Sequence, residues 1–199
     1  LGYILINRKI SIFFITTALF NTLVDNNIEC FRCIRKVLFG GEKISISHAR
    51  KALEYMGPNK IIHVYGPTES TVFTTYYDIN DINENIPIGS PIANTKIYII
   101  EKNDVLSAIG IPAEICIAGD GLIDGYLNNE ELTAEKFREN PFVAGERMFS
   151  TGDLGRWLPN GNIEFIGRID NQVKIRGFRI ELGEIENQLL KREWIKEAV

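Results

Sequence analysis

The stretch Ile61-Ile62-His63-Val64-Tyr65-Gly66-Pro67-Thr68-Glu69 decides the fold class of this chain. Its first five residues are mostly β-branched or aromatic and predict a buried strand, which Gly66-Pro67 ends in a turn. Two similar strands are predicted upstream, at residues 10–15 and 37–39. Because helical apolar patterns separate these strands, the first part of the chain is predicted to be an α/β fold of βαβ units with a parallel sheet.

The ends of the intervening helices carry local signals. Thr16-Thr17 follows the first strand and is expected to start a helix. Ser47 is expected to cap the second helix, and Gly57-Pro58 to stop it. The loops at the carboxyl ends of the parallel strands are then the expected ligand-binding edge.

After Ile88 the pattern changes to short β-like runs separated by glycine turns. Asn160-Gly161 is a strong hairpin signal, and a helix is predicted at 133–137. A last helix is predicted beyond Gly183, with Ile185, Leu189 and Ile195 on one face. We expect a barrel-like or mixed β subdomain and then the start of a small α+β unit, with β runs at 96–100, 114–118, 163–166 and 172–175.

Composition limits the function classes. With 45% hydrophobic residues and a net charge of −4, the chain has the balance of a globular protein and no overall basic field for nucleic acid or an anionic membrane. Its longest early apolar run is far shorter than the roughly 20 residues of a membrane-spanning helix. Three cysteines do not make a disulfide framework, and Cys30 and Cys33 are interpreted as ordinary thiols because no second pair completes a metal site. A cytoplasmic location is the default expectation.

The residues after the third strand combine several ligand-binding chemistries. A β-turn explains Gly66-Pro67 but not the hydroxyl and carboxylate that follow directly. The ring of Tyr65 can stack on a purine, the hydroxyl of Thr68 can donate to a phosphate oxygen, and the carboxylate of Glu69 can hold magnesium. His63 is expected to support this loop rather than act as a base.

Three blocks, in this order and spacing, closely resemble the adenylation domains of non-ribosomal peptide synthetases. The first is residues 65–69, and the second is Ser150-Thr151-Gly152-Asp153-Leu154. The third runs from Gly167 to Glu186 and reads GRIDNQVKIRGFRIELGEIE. The chain is therefore similar to a part of such a domain.

The resemblance implies a role for residues of each block. Thr68, Glu69 and Lys174 would be catalytic, and Glu69 would also hold magnesium. Asp153 would accept both ribose hydroxyls, and Lys174 and Gly177 would lie in a loop that enters the site for thioester formation. The ATP-binding set would be Gly41, Glu42, Tyr65, Gly66, Thr68, Asp153, Phe165 and Arg168.

The resemblance also implies domain boundaries. Residues 1–169 would be the carboxyl-terminal half of a large subdomain, with a βαβ part at about 1–87 and a β-rich part at about 88–169. Residues 170–199 would contain a hinge at Asp170 and the start of a small carboxyl-terminal subdomain. The family's phosphate loop and substrate-gripping aspartate would lie upstream and its adenylation lysine downstream, so we expect the 199-residue piece alone to be inactive.

A substrate pocket follows by matching the same motifs. Its expected residues are apolar apart from one small glycine, so an aliphatic amino acid is predicted, with isoleucine favoured over valine and leucine. A polar substrate would leave a charge unpaired there. The pocket set is Phe14, Leu38, Gly40, Val64, Val72 and Phe73.

The implied activity is ATP- and magnesium-dependent formation of an aminoacyl adenylate, followed by transfer to the phosphopantetheine thiol of a carrier domain. A condensation domain of the same synthetase would be a further partner, and the product an antibiotic or other secondary metabolite. Two alternatives stay open: an acyl-CoA or aryl-acid ligase of the same superfamily, and a non-catalytic scaffold or docking domain. The run from Gln172 to Glu184 favours the peptide-synthetase branch, and the intact Thr68, Glu69, Asp153 and Lys174 argue against a scaffold.

Overall fold

The structure is a computed structural model that describes residues 1–82, 85–170, 172–175, 178–192 and 194–198 of the 199-residue chain. For residues 174, 175, 179 and 187 it describes the backbone only. In the described part of the chain, no helix is both long and apolar enough to cross a membrane.

The first sheet is built from βαβ units, as predicted. After the short helix α1 (Gly2–Asn7), the parallel strands β1, β2 and β3 alternate with helices α2 and α3. Two further strands extend the sheet in antiparallel orientation, giving the order β1-β2-β3-β4-β5. The bounds are β1 Ile12–Thr16, α2 Thr17–Asn26, β2 Lys36–Gly40, α3 Ile46–Met56, β3 Ile61–Tyr65, β4 Thr75–Asp78 and β5 Ser90–Pro91.

One of the two predicted helix starts is correct. Thr16 caps α2, and its hydroxyl accepts a hydrogen bond from the main-chain nitrogen of Leu19 at 3.4 Å. The prediction that Ser47 caps α3 is wrong, because α3 begins at Ile46 and Ser45 occupies the N-cap position, without a capping hydrogen bond from its side chain. The first turn is closed by the main-chain nitrogen of Ala49, which donates to the Ser45 carbonyl, so Ser47 already lies inside the helix. The stop at Gly57 is confirmed; its φ of 81° ends the helix.

The β-rich part forms a second sheet that is antiparallel throughout. Its strand order is β11-β10-β8-β6-β7, and β9 also pairs with β10. The predicted Asn160-Gly161 hairpin connects β10 to β11, with φ 79° at Gly161. Helix α4 begins at Glu130, earlier than predicted, because the side chain of Asn129 caps the nitrogen of Leu132. The bounds are β6 Thr95–Glu101, β7 Val105–Leu106, β8 Ala113–Gly119, α4 Glu130–Lys136, β9 Phe137–Glu139, β10 Arg147–Trp157 and β11 Ile163–Arg168.

Each sheet has its own apolar core, and the sheets meet beside β3. Phe20 of α2 stacks on Phe39 of β2 with ring centroids 4.0 Å apart, inside the first core. Tyr65, the last residue of β3, belongs to the second core with residues of the other sheet. Main-chain hydrogen bonds between Ile88 or Gly89 and Ile163 fix this junction. The fold class predicted from the sequence, a parallel βαβ sheet followed by a β-rich unit, is confirmed.

The last part of the chain contains a hairpin and a short helix. Strands β12 (Val173–Ile175) and β13 (Phe178–Ile180) pair in antiparallel orientation, and α5 spans Leu182–Leu190. The prediction that Ile195 continues this helix is wrong. Beyond Leu190 the chain makes i to i−3 turns, in which Ile195 donates to the Arg192 carbonyl, and these turns replace the helical hydrogen bonds.

Candidate functional site

A cavity of about 380 Å³ lies at the carboxyl end of β3, the edge at which open parallel sheets usually bind ligands. Both sheets contribute to its wall. Among its lining residues are seven of the eight predicted ATP-binding residues: Gly41, Glu42, Tyr65, Gly66, Asp153, Phe165 and Arg168. The structure thus brings together motifs that are about 100 residues apart in the sequence.

Asp153 forms the polar centre of this wall. The Tyr65 hydroxyl donates to its Oδ2 at 2.6 Å, and Nη1 of Arg168 donates to its Oδ1 at 2.6 Å. Burial raises the pKa of Tyr65 well above its usual value, and the neighbouring Asp153 charge adds to this shift. The hydroxyl therefore stays protonated and acts as a donor.

Arg168 also binds the carboxylate of Asp170, the predicted hinge residue. Nε donates to Oδ1 at 2.6 Å, and Nη2 donates to Oδ2 at 2.5 Å. The hydrogen bonds from Arg168 lower the pKa of Asp170. One guanidinium therefore joins Asp153 in the cavity wall to the point at which the chain leaves β11.

The backbone around Asp153 is held by groups that the sequence reasoning missed. The hydroxyl of Thr151 donates to the Ile115 carbonyl at 2.6 Å and accepts from the Asp153 nitrogen at 2.9 Å. The nitrogen of Gly152 donates to a carboxylate oxygen of Glu114 at 2.8 Å. Gly152 has φ 73° and lies against the Arg168 guanidinium, so a side chain at this position would be strained. The Thr-Gly-Asp spacing was visible in the sequence, but these long-range partners were not.

His63 is a buried wall residue with a defined partner. Its Nδ1 lies 2.9 Å from the Pro87 carbonyl, so this nitrogen carries the proton and donates. Burial lowers the pKa of His63 to about 4, which keeps the imidazole neutral at physiological pH. The hydrogen bond from the neutral His63 ring to the Pro87 carbonyl holds the loop that contains Pro87 against β3.

Thr68 and Glu69 are not part of the cavity wall; they form a single 3₁₀ turn, Thr68–Ser70, just beyond β3. Glu69 is buried, and its Oε1 accepts a hydrogen bond from the Tyr126 hydroxyl at 2.7 Å. Its carbonyl accepts from the nitrogen of Ile123 at 3.0 Å. Tyr126 lies 57 residues away in the chain, and no local pattern in the sequence points to it.

The predicted substrate-pocket residues lie at the same end of the first sheet. Phe14 pairs with Leu38, and Gly40 pairs with Val64, so these four residues share one face. The Phe73 ring packs edge-on against Phe14 with centroids 5.1 Å apart. Of the six, Val64 alone lines the cavity at the end of β3, and Val72 has an unusual φ of 70°.

Two predictions fall partly outside the description. Lys174 is part of strand β12, but the structure describes only its backbone. Gly177 lies outside the described residues. Within the described ranges, no group of three histidine, cysteine, aspartate or glutamate residues could hold a metal ion. Gln172, which the sequence reasoning gave no role, is a buried residue of the cavity wall.

Comparisons with known proteins agree with this geometry. The family profile described as "AMP-binding enzyme" matches residues 4–127. The chain is 61% identical to bacitracin synthase 1 of Bacillus licheniformis over its whole length, and it spans 4% of that protein. It is 53% identical to surfactin synthase subunit 1 of Bacillus subtilis (strain 168), again over its whole length and 6% of the relative.

The fold matches a solved structure as well. The structure of holo-PA1221, described as a non-ribosomal peptide synthetase protein with adenylation and PCP domains, superposes with a TM-score of 0.92 at 33% identity. The match covers 98% of this chain and 35% of that one. With a family profile matched over more than half of its length, the chain belongs to the AMP-binding enzyme family, and its resemblance to the adenylation domains of non-ribosomal peptide synthetases is confirmed.

Proposed function

We propose that the protein containing this chain activates an amino acid with ATP, forming an aminoacyl adenylate and pyrophosphate. The observation that carries the proposal is the cavity at the end of β3. Its wall combines an aromatic ring, a carboxylate and a guanidinium from the motifs that define the resemblance, at Tyr65, Asp153 and Arg168. No covalent enzyme nucleophile is needed, because positioning and charge stabilisation can account for this chemistry.

In this proposal the cavity binds the nucleotide. The rings of Tyr65 and Phe165 lie 6.3 Å apart between centroids and offer apolar surface to the purine. Asp153 accepts the ribose hydroxyls, and Arg168 holds Asp153 in place. Gly41, Glu42 and Gly66 shape the opposite wall, and φ 94° at Gly41 favours a residue without a side chain.

Thr68 and Glu69 are proposed to act on the phosphates. One buried carboxylate suits magnesium, since this ion usually takes one or two protein carboxylates and completes its shell with phosphates and waters. Glu69 would hold the ion, which would neutralise part of the triphosphate charge. The Thr68 hydroxyl would donate to a phosphate oxygen.

We also propose domain boundaries that fit a two-step use of the site. We propose that residues 1–169 belong to a large subdomain, with parts at about 1–87 and 88–169. Asp170 would be the hinge of a small subdomain that begins there, and Lys174 would enter the site for the second half-reaction. A hinge requires only a few residues that absorb the change in backbone angles.

The second step would transfer the acyl group to the phosphopantetheine thiol of a carrier domain. PA1221, which shares the fold at 33% identity, is described as containing an adenylation and a PCP domain. We propose the same kind of partner here, together with a condensation domain of the same cytoplasmic synthetase. The relatives named for bacitracin and surfactin synthesis support a role in making a peptide secondary metabolite.

The substrate proposed for the pocket is an aliphatic amino acid, with isoleucine first. Phe14, Phe73 and Val72 offer apolar surface, and Gly40 packs directly against the Val64 backbone, where a side chain would clash. Discrimination among isoleucine, valine and leucine would be modest, because one methylene contributes only about 1–3 kcal/mol.

Amino-acid-dependent exchange between ATP and pyrophosphate tests the proposal on the full-length protein. A maximum at isoleucine or its aliphatic neighbours would support both the reaction and the pocket. Activity only with fatty or aryl acids would move the protein to the other ligase branch. If the folded protein shows no exchange with any acid, the enzymatic role is contradicted and the non-catalytic scaffold or docking domain is favoured.

A further inference from the structure

The side chain of Gln172 has a buried oxygen that no group of the described residues satisfies. Gln172 is 6% exposed and lies in the wall of the cavity. Its Oε1 has no hydrogen-bond partner among the described residues. A buried polar atom in this state has lost water without gaining a protein partner, which is unfavourable unless a ligand or an ordered water supplies the bond.

The orientation of this amide is set by its surroundings. Nε2 of Gln172 donates to the carboxylate of Glu181. Because an ionised carboxylate accepts hydrogen bonds and cannot donate them, turning the amide round would place two acceptors against each other. The main-chain nitrogen of Gln172 donates to Oδ1 of Asp170 at 3.1 Å. Oε1 is therefore held in the wall as an acceptor before any ligand arrives.

The neighbours of Gln172 indicate which part of a ligand it meets. Asp170 binds Arg168, and Arg168 binds Asp153, so Gln172 belongs to the hydrogen-bonded chain that ends at the proposed ribose carboxylate. An acceptor requires a donor on the ligand. Ionised phosphates have none, whereas the nucleoside offers the two ribose hydroxyls and the amino group of adenine.

We propose that Oε1 of Gln172 accepts a hydrogen bond from a nucleoside donor of the bound nucleotide, and that Gln172 is a specificity-determining residue of the site. This inference rests on the proposed function, because it requires the cavity to bind a nucleotide. A nucleotide that carries the donor supplies the hydrogen bond that Oε1 lacks. A nucleotide without the donor leaves this buried oxygen unpaired and therefore binds more weakly.

The test compares nucleotide dissociation constants, measured by calorimetry on the full-length protein. The ligands are a non-hydrolysable ATP analogue and its 2′-deoxy, 3′-deoxy and 6-deamino forms, each lacking one donor. Gln172→Met keeps the length of the side chain and removes the acceptor. It should weaken binding of the parent ligand about fivefold to tenfold and have no effect on the one analogue that lacks the partner group.

Two further variants test how the amide is held. Glu181→Ala removes the partner that orients Nε2 but keeps Oε1, so it should weaken binding in the same donor-dependent pattern as Gln172→Met, by a smaller factor. Gln172→Asn, which keeps the amide but withdraws its oxygen, should repeat the pattern of Gln172→Met and provides a second variant if the first does not fold.

The outcomes distinguish this inference from the proposed function. If both Gln172 variants weaken all four ligands equally, or none of them, the residue is structural and the inference is wrong, while nucleotide binding stands. If the unmodified protein binds none of the four ligands, the proposed function itself fails.

Discussion

The hydroxyl of Tyr65 and the carboxylate of Asp153 are joined by a 2.6 Å hydrogen bond across 88 residues of sequence. Tyr65 ends a strand of the first sheet, and Asp153 lies in the longest strand of the second. Both residues are buried, so the bond contributes to the junction of the sheets as well as to the cavity wall. The Tyr65 hydroxyl does not neutralise the charge of Asp153, but it orients the carboxylate and so has a structural role in the site.

Replacing Tyr65 by phenylalanine tests that bond. The substitution keeps the ring in its core and removes one hydrogen bond to a buried carboxylate, so we expect the free energy of unfolding to fall by about 1.5–3 kcal/mol. Urea denaturation measures the change. Tyr76→Phe is the matched control, because Tyr76 is exposed, and it should leave stability within about 0.5 kcal/mol. Equal effects of both variants would contradict the role of the hydroxyl.

The burial of His63 predicts a pH-dependent stability. Its pKa is lowered by burial from 6.5 to about 4, so the unfolded chain binds a proton between these values while the folded protein does not. Stability from this group is therefore complete above pH 6.5 and is lost as the pH falls towards 4, by about 3 kcal/mol in total.

Denaturation curves between pH 7 and 4 measure this loss. His63→Gln, whose amide can still donate to the Pro87 carbonyl, should remove that share of the pH dependence. His48→Gln, at the other histidine of the chain, should retain it. An unchanged pH profile in the His63 variant would show that other groups cause the loss.

Gly40 is predicted to tolerate no side chain. A Cβ atom there would lie 2.0 Å from the Val64 carbonyl oxygen, which belongs to the paired strand and cannot move independently. We expect Gly40→Ala to lower the free energy of unfolding by about 2–3 kcal/mol through overpacking. Gly167→Ala is the control, since its Cβ would meet no atom within 4 Å. Similar stabilities for the two variants would overturn the prediction.

Glu69 is predicted to set the magnesium requirement of the proposed reaction. Glu69→Gln keeps the shape of the side chain and removes its charge, so the magnesium concentration for half-maximal pyrophosphate exchange should rise about tenfold. Tyr126→Phe removes only the hydrogen bond to Oε1 and should produce a smaller rise. Glu146→Gln is the control, because Glu146 pairs with Lys96 outside the cavity wall. A magnesium dependence that is the same in all three variants would exclude Glu69 as the ligand.

The sequence predicted the parts of the fold that depend on local pattern. The strands at 12–16, 36–40 and 61–65 were placed to within about two residues, because buried parallel strands are continuous apolar runs bounded by glycine, proline or a cap. The hairpin at Asn160-Gly161 was predicted for a similar reason, since its turn requires a positive φ.

What the sequence missed depends on contacts between distant residues. Ser45 and Ser47 are equally good caps by composition, and the choice between them depends on where the first turn of α3 closes. Tyr126, which binds Glu69, and Tyr65, which binds Asp153, come from segments 57 and 88 residues away, so no local window contains these pairs. The amide of Gln172 was visible in the motif, but its unpaired oxygen became apparent only when its neighbours were in place.

Under the proposed function, the shared guanidinium of Arg168 also bears on the direction in which the nucleotide would lie. Asp153, Asp170 and Arg168 form a cluster of two anions and one cation, so these three side chains together have a formal charge of minus one. Neutral hydroxyl donors are attracted to such a cluster, and a triphosphate is repelled from it. These three side chains would thus make the cavity electrically polar, with the sugar of the proposed nucleotide directed towards β10 and its reacting phosphates directed away from it.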